Sequence, residues 1–208
     1  MSLFITLEGP EGSGKSSALK IVKEALEKLG YEIVVTREPG GTLISEQIRN
    51  VILDKANTKM DPRTEALLYA ASRRQHLVEK IWPSLKEGKI VFCDRYLDSS
   101  LSYQGYARNL GVDDVLKVNE YATEGTYPDL TFLFDINPEL GLERISKNAD
   151  REVNRLDVEK LSFHQKVREG YLQLSKRFSD RYVVIDASKS LEEVSNQVLK
   201  AILDKLGK

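Results

Sequence analysis

The chain has 208 residues, 41% hydrophobic and 30% charged, enough for one compact domain with a sizeable buried core. Lysine and arginine total 31 against 32 aspartate and glutamate, a net charge of −1, so no overall basicity suits wrapping by nucleic acid and any anion site must be local. Cys93 is the single cysteine, which excludes an intrachain disulfide; no apolar run nears the roughly 20 residues that cross a bilayer, and MSLFITLEG lacks the form of an export signal, so a soluble cytoplasmic protein is expected.

The first apolar run, LFITLE at 3–8, is short and nearly continuous, as strands covered on both faces read. It runs into GPEGSGKS at 9–16, and then into a segment where Leu19, Val22, Leu26 and Leu29 recur at helical spacing. Gly9, Gly14, Lys15 and Ser16 satisfy G-x-x-x-x-G-K-[ST] in the strand, loop, helix setting that this phosphate-binding motif requires. Glycines let the backbone N–H groups of the loop turn toward one point, backed by the partial positive charge of the helix start. Lys15 adds a cation for β- and γ-phosphates, and the Ser16 hydroxyl suits Mg²⁺. Gly9, Pro10, Glu11, Gly12, Ser13, Gly14, Lys15, Ser16 and Ser17 are therefore expected to hold a nucleoside triphosphate. The guanine-reading N-K-x-D motif is absent, as is an apolar strand ending in Asp-Glu.

Four more runs follow: EIVVT at 32–36, KIVFCD at 89–94, LTFLFD at 130–135 and YVVID at 182–186. Helical spacing recurs between and after them, as in Leu191, Val194, Val198, Ile202 and Leu206. The alternation predicts an α/β, three-layer P-loop NTPase fold in which helices flank a five-stranded parallel sheet joined by right-handed crossovers. Ligands then gather beyond the carboxyl ends of the strands. Glu8, Arg37 with Glu38, Asp94 with Arg95, and Asp135 fall at that edge. Asp94 is placed to hold Mg²⁺ through water or to pair with a neighbouring arginine. REPGG must reverse sharply, so a cis Glu38–Pro39 bond is expected. Cys93 reads as an inert strand thiol, and His76 and His164 receive no role. SKNADREVNRLD, 146–157, is charge-dense and weakly apolar, a mobile flap within the single domain 1–208.

FITLEGPEGSGKS, REPGGT, RTEALLYAASRRQHL, CDRYLDSSLSYQG and YPDLTFLFD, taken in order, resemble the bacterial thymidylate kinases, P-loop enzymes that phosphorylate dTMP to dTDP. The resemblance spans nearly the whole chain. It implies ATP as donor, Mg²⁺ as cofactor and a homodimer. Arg37 and Arg95 would clamp the acceptor phosphate with their guanidinium forks. Glu11, an acid inside an anion loop, suggests a sugar hydroxyl, and the resemblance makes it the deoxyribose 3′-OH. Glu38 would order water or orient Arg37. Tyr69 and Arg73, four apart on one helical face, would stack on the pyrimidine and donate to its carbonyl oxygen. The resemblance carries over Ser100 and Gln104 to the thymine edge, Tyr103 to the 2′ position of the sugar and Arg144 to the adenine face. A helix through 98–105 would set Ser100 and Gln104 on one side with Tyr103 beside them.

Two positions depart from family patterns. Tyr69 stands where Phe is common, which preserves the stacking face. Gly12 stands where some members carry an arginine, so the catalytic cation must come from elsewhere: Lys147, Arg151 and Arg155 form one stripe if 146–157 is helical, and the choice between Arg151 and Arg155 stays open. Competing readings are a kinase for another nucleoside monophosphate and a nucleotide-dependent switch protein.

Overall fold

The computed structural model describes residues 2–146, 155–156 and 159–208. Strands β1 (Leu3–Glu8), β2 (Ile33–Arg37), β3 (Ile90–Asp94), β4 (Leu130–Asp135) and β5 (Tyr182–Asp186) form one sheet in the order β2-β3-β1-β4-β5. Every ladder is parallel, as the alternation of strand and helix requires. The outer strands differ from the expectation of cover on both faces. Val35 in β2 is 41% exposed and Val184 in β5 is 50% exposed, although Ile33 and Tyr182, two residues earlier on the same faces, still pack against the core, so at either edge cover on that face runs out along the strand.

Along β1 successive side chains point to opposite faces. Leu3, Ile5 and Leu7 pack with Ala18, Leu19, Val22 and Leu26 of α1 (Lys15–Lys28), and with Val194, Val198 and Ile202 of the C-terminal helix (Leu191–Lys205). Leu29, expected on that apolar stripe, is instead the C-cap of α1 and half exposed. The C-terminal helix starts in a reciprocal cap: Glu193 N–H donates to Ser190 Oγ, and Ser190 N–H donates back to the Glu193 carboxylate.

Phe4 faces the other way, into a cluster with Val91, Cys93, Leu77, Ile81, Tyr96, Leu101 and Leu174. That layer is built from α2 (Leu43–Leu53), α3 (Pro62–His76), α4 (Trp82–Lys86), α5 (Leu97–Ser100), α6 (Val112–Thr123) and α8 (Leu161–Arg177), whereas α7 (Pro138–Ser146) packs Leu140 on the β1–α1 side, and α9 is the Leu191–Lys205 helix already named. The helix expected through 98–105 changes pitch: α5 passes into a π-helical stretch over Leu101–Ala107. FHQKVREGYLQL lies within α8 and packs on that stretch, with Gly170 leaving room for Ser102 and Tyr106.

The register sets Leu7 and Arg37 level with Asp94, and Glu8 level with Leu133. The carboxyl ends of β1, β2 and β3 therefore open onto one edge, where loop 9–14 leads into α1.

Candidate active site

Loop 9–14 is shaped by close backbone approaches. Gly9 has φ 133°, and a Cβ there would stand 2.5 Å from the carbonyl oxygen of Phe134. Gly12, at φ 70°, lies against the backbone of Gly141 in α7, so an arginine at this position would require α7 to move. Gly14 starts α1 with no side-chain cap and no acid in the first turn, which leaves the helix start to an anion. Lys15 is buried, with Nζ 3.2–3.3 Å from Pro10 O, Gly9 O and Ser13 Oγ. Burial and the charge of Arg95 lower its pKa, against the opposing pull of Asp94, Glu11 and Glu8.

Beside the loop lies a cavity lined by Arg37, Glu38, Tyr69, Arg73, Tyr103 and Gln104. Arg73 is 1% exposed and held by Glu38 Oε2 (2.7 Å), Tyr96 O (2.9 Å), Ser100 Oγ (3.0 Å) and Asn119 Oδ1. Those bonds use four of its five N–H groups, and the second N–H on Nη2 has no acceptor among the described residues. Tyr69 and Tyr103 are almost buried, and burial raises both phenol pKa values, so both rings are neutral at any physiological pH. Tyr103 OH has no hydrogen-bond partner among the described residues.

Two side chains stand elsewhere than their sequence reading put them. Glu38 does not orient Arg37: its carboxylate lies between Arg73 Nε and His76 Nδ1 (3.0 Å), while Arg37 pairs with Glu46 at 3.1 Å. The otherwise unassigned His76 completes this chain by contacting Thr36 Oγ1 at 2.7 Å. The Glu38–Pro39 peptide is cis. Ser100 accepts from Arg73 behind the cavity wall and does not line the cavity as Tyr103 and Gln104 do. Its hydroxyl is taken up by Arg73 Nη1, while the amide of Gln104, one turn further on, reaches Glu65.

The acceptor-side cavity and the cleft over loop 9–14 have Glu11, Asp94 and Arg95 in common. Arg95 takes φ 69°, an uncommon backbone for a non-glycine residue, and its N–H donates to Leu7 O. Its guanidinium reaches Glu11 (2.6 Å), Tyr171 OH (3.1 Å) and Ser99 (3.4 Å) and lies over the Tyr103 ring. Asp94 Oδ1 is buried with no partner among the described residues and faces the clefts that Ser16 also lines. A hard oxygen donor without a proton partner, beside a hydroxyl at a phosphate loop, fits Mg²⁺. Under Arg95, Glu8 is fully buried and accepts from Tyr96 N–H (2.7 Å), Ser99 Oγ (2.6 Å) and Tyr171 OH (2.9 Å). Burial, with Asp98 nearby, pushes its pKa up to about 7.

Arg144 lines the cleft over loop 9–14 and donates to Ala187 O at 3.0 Å. Arg155 is buried on the acceptor side, donating to Glu65 and to Ile52 O. Lys147 and Arg151 lie outside the described residues. Asp135 belongs to an ion pair with Arg168 and Asp186 to a turn closed by Ser188, so neither joins the site.

A sequence model described as thymidylate kinase matches residues 7–198. The chain belongs to the thymidylate kinase family. It is 56% identical to a thymidylate kinase of a Geobacillus species over 203 residues, which cover 98% of this chain and 97% of the relative. Identity to a thymidylate kinase of Bacillus velezensis is 58% over 206 residues, 99% of this chain and 97% of the relative. A crystal structure of thymidylate kinase from Ehrlichia chaffeensis superposes with a TM-score of 0.76 at 33% identity, over 97% of this chain and 98% of that one.

Several residues of this thymidylate kinase family site carried no signal in the sequence. Arg49 lines the acceptor cavity and donates to Pro39 O, Asn119 supports Arg73, and Glu65 gathers Gln104, Arg108 and Arg155. Asn119 offered one hint, a carboxamide inside an apolar helix face, where its amide bonds back to Val115 O.

Proposed function

We propose that the chain transfers the γ-phosphoryl group of ATP to the phosphate of dTMP, giving dTDP and ADP. The observation that carries this reading is the meeting of two clefts, one over a phosphate loop and one lined by aromatic rings and a buried arginine, at Glu11, Asp94 and Arg95. A donor held by loop 9–17 with Lys15 at its terminal phosphates, and an acceptor beside Arg37 and Arg95, would bring two phosphates end to end there. The bond from the γ-phosphorus to the β–γ bridging oxygen breaks as one forms to an acceptor phosphate oxygen, which needs alignment and neutralisation of charge and no covalent enzyme intermediate.

In this reading Tyr69 stacks on the thymine, and the remaining Arg73 N–H and Gln104 meet its edge, with Ser100 acting through Arg73. Tyr103 crowds the sugar's 2′ position, Glu11 takes the 3′-OH in exchange for Arg95, and Arg144 covers the adenine. Ser16 and Asp94 would hold Mg²⁺, Asp94 through water; the ion supplies charge neutralisation at the phosphates. With Arg155 engaged by Glu65, Arg151 or Lys147 of the 146–157 lid is the better supply of the catalytic cation. A single kinase domain acting in the cytoplasm agrees with the absence, among the described residues, of any helix long and apolar enough to cross a membrane. Exposed Leu67 on α3 and Tyr121 on α6 would suit a homodimer.

ADP release measured with ATP, Mg²⁺ and a panel of dTMP, dUMP, dCMP and dGMP tests the assignment. We expect dTMP to be the best acceptor. Equal rates across the panel would overturn the pocket reading.

A further inference from the structure

Glu65 stands in the first turn of α3, 1% exposed, and its carboxylate collects side chains from distant parts of the chain. Arg155 donates to Oε2, Arg108 lies 3.5 Å from both oxygens, and Gln104 donates Nε2–H to Oε1 at 2.8 Å. Donors from two guanidinium groups and an amide meet both oxygens of this carboxylate, which therefore accepts on each. One orientation of the Gln104 amide satisfies it: nitrogen toward Glu65, oxygen turned away. Gln104 lines the acceptor cavity, and its Oε1 is buried without a hydrogen-bond partner among the described residues.

The cavity therefore presents a fixed acceptor, Gln104 Oε1, and a donor, the N–H that Arg73 keeps on Nη2. Thymine and uracil carry an N–H at ring position 3 beside a carbonyl at position 4, the complement of that pair. Cytosine carries the reverse, a bare ring nitrogen beside an amino group. Resting on the dTMP reading above, we propose that Glu65 is a positioning residue for base selection: by orienting the Gln104 amide it admits pyrimidines with a ring N–H and rejects cytosine.

Glu65→Gln tests this with the shape of the site retained. Its amide oxygen can still accept from Arg155 while its NH₂ faces Gln104, whose amide then turns over and offers Nε2–H to the base. In the full chain with ATP and Mg²⁺, kcat/KM is measured for dTMP and dCMP. The dTMP:dCMP ratio should fall by about tenfold or more, with dCMP use rising in absolute terms. Equal losses for both acceptors at an unchanged ratio would overturn the proposal, since a merely structural glutamate weakens both alike. Should circular dichroism show Glu65→Gln unfolded, Gln104→Ala provides the same readout, and again an unchanged ratio overturns it. A wild-type chain inactive on dTMP sinks both the acceptor reading and this role; an active one with an unaltered ratio sinks only the role of Glu65.

Discussion

Replacing Arg73 by methionine keeps most of the buried stem and removes the charge. The variant leaves the Glu38 carboxylate, whose side chain is 2% exposed, with His76 alone, and it strips a donor from Tyr96 O, Ser100 Oγ and Asn119 Oδ1. Breaking a buried ion pair by removing one partner costs about 3–5 kcal/mol, because the other charge stays behind without compensation. For a chain of this size, each kcal/mol lowers Tm by about 2–4 °C, so a fall of about 6–20 °C is expected. Thermal and urea melts followed by circular dichroism give the value directly. The stranded charge can be isolated as the cause: Glu38→Gln in the Arg73→Met background should recover more than half of the loss, whereas a mere packing defect would not respond. A Tm within about 2 °C of wild type, or no recovery in the double variant, refutes the reasoning. Loss of base contact adds a separate effect, about 1–3 kcal/mol in kcat/KM for dTMP below the melting range.

Glu8 predicts a pH dependence. Its carboxyl is raised from 4.5 to about 7 in the folded chain, so between those values the native state holds a proton that the unfolded state releases. Stability should be greatest below pH 4.5 on this account and decline by about 3 kcal/mol as pH rises to 7, a slope that Glu8→Gln removes; parallel pH profiles of the two proteins in urea melts would contradict it. Gly141→Ala sets about 1 kcal/mol of helix propensity gained against a Cβ pressed on Glu11 O, an overpacking cost of about 1–3 kcal/mol. We expect net destabilisation and a raised KM for ATP, and an unshifted melt with normal KM would show that α7 yields freely. Asp94→Asn should raise the Mg²⁺ concentration for half-maximal activity by about tenfold while leaving Tm nearly unchanged, because its Oδ1 holds no protein group. Unaltered magnesium titration would remove Asp94 from the metal site.

Sequence alone determined the five strands to within a residue or so, their parallel arrangement and the loop that receives phosphates. Each of these rests on local pattern: short apolar runs, helical spacing between them, and glycines with a lysine and a hydroxyl at set offsets. Resemblance added the acceptor residues, and Tyr69, Arg73, Tyr103 and Gln104 do converge on one cavity. The partners of buried charge were decided by tertiary structure. Glu38 meets Arg73 across 35 positions, Arg73 meets Asn119 across 46, and Glu65 meets Arg155 across 90. Composition near a residue says nothing about which donor will be packed against it from so far along the chain. Ser100 follows the same rule, since its hydroxyl accepts from the Arg73 guanidinium 27 positions away and so sits behind that side chain. Gly12 shows both levels: its glycine is plain in the motif, but only the approach of α7 explains why no side chain fits there.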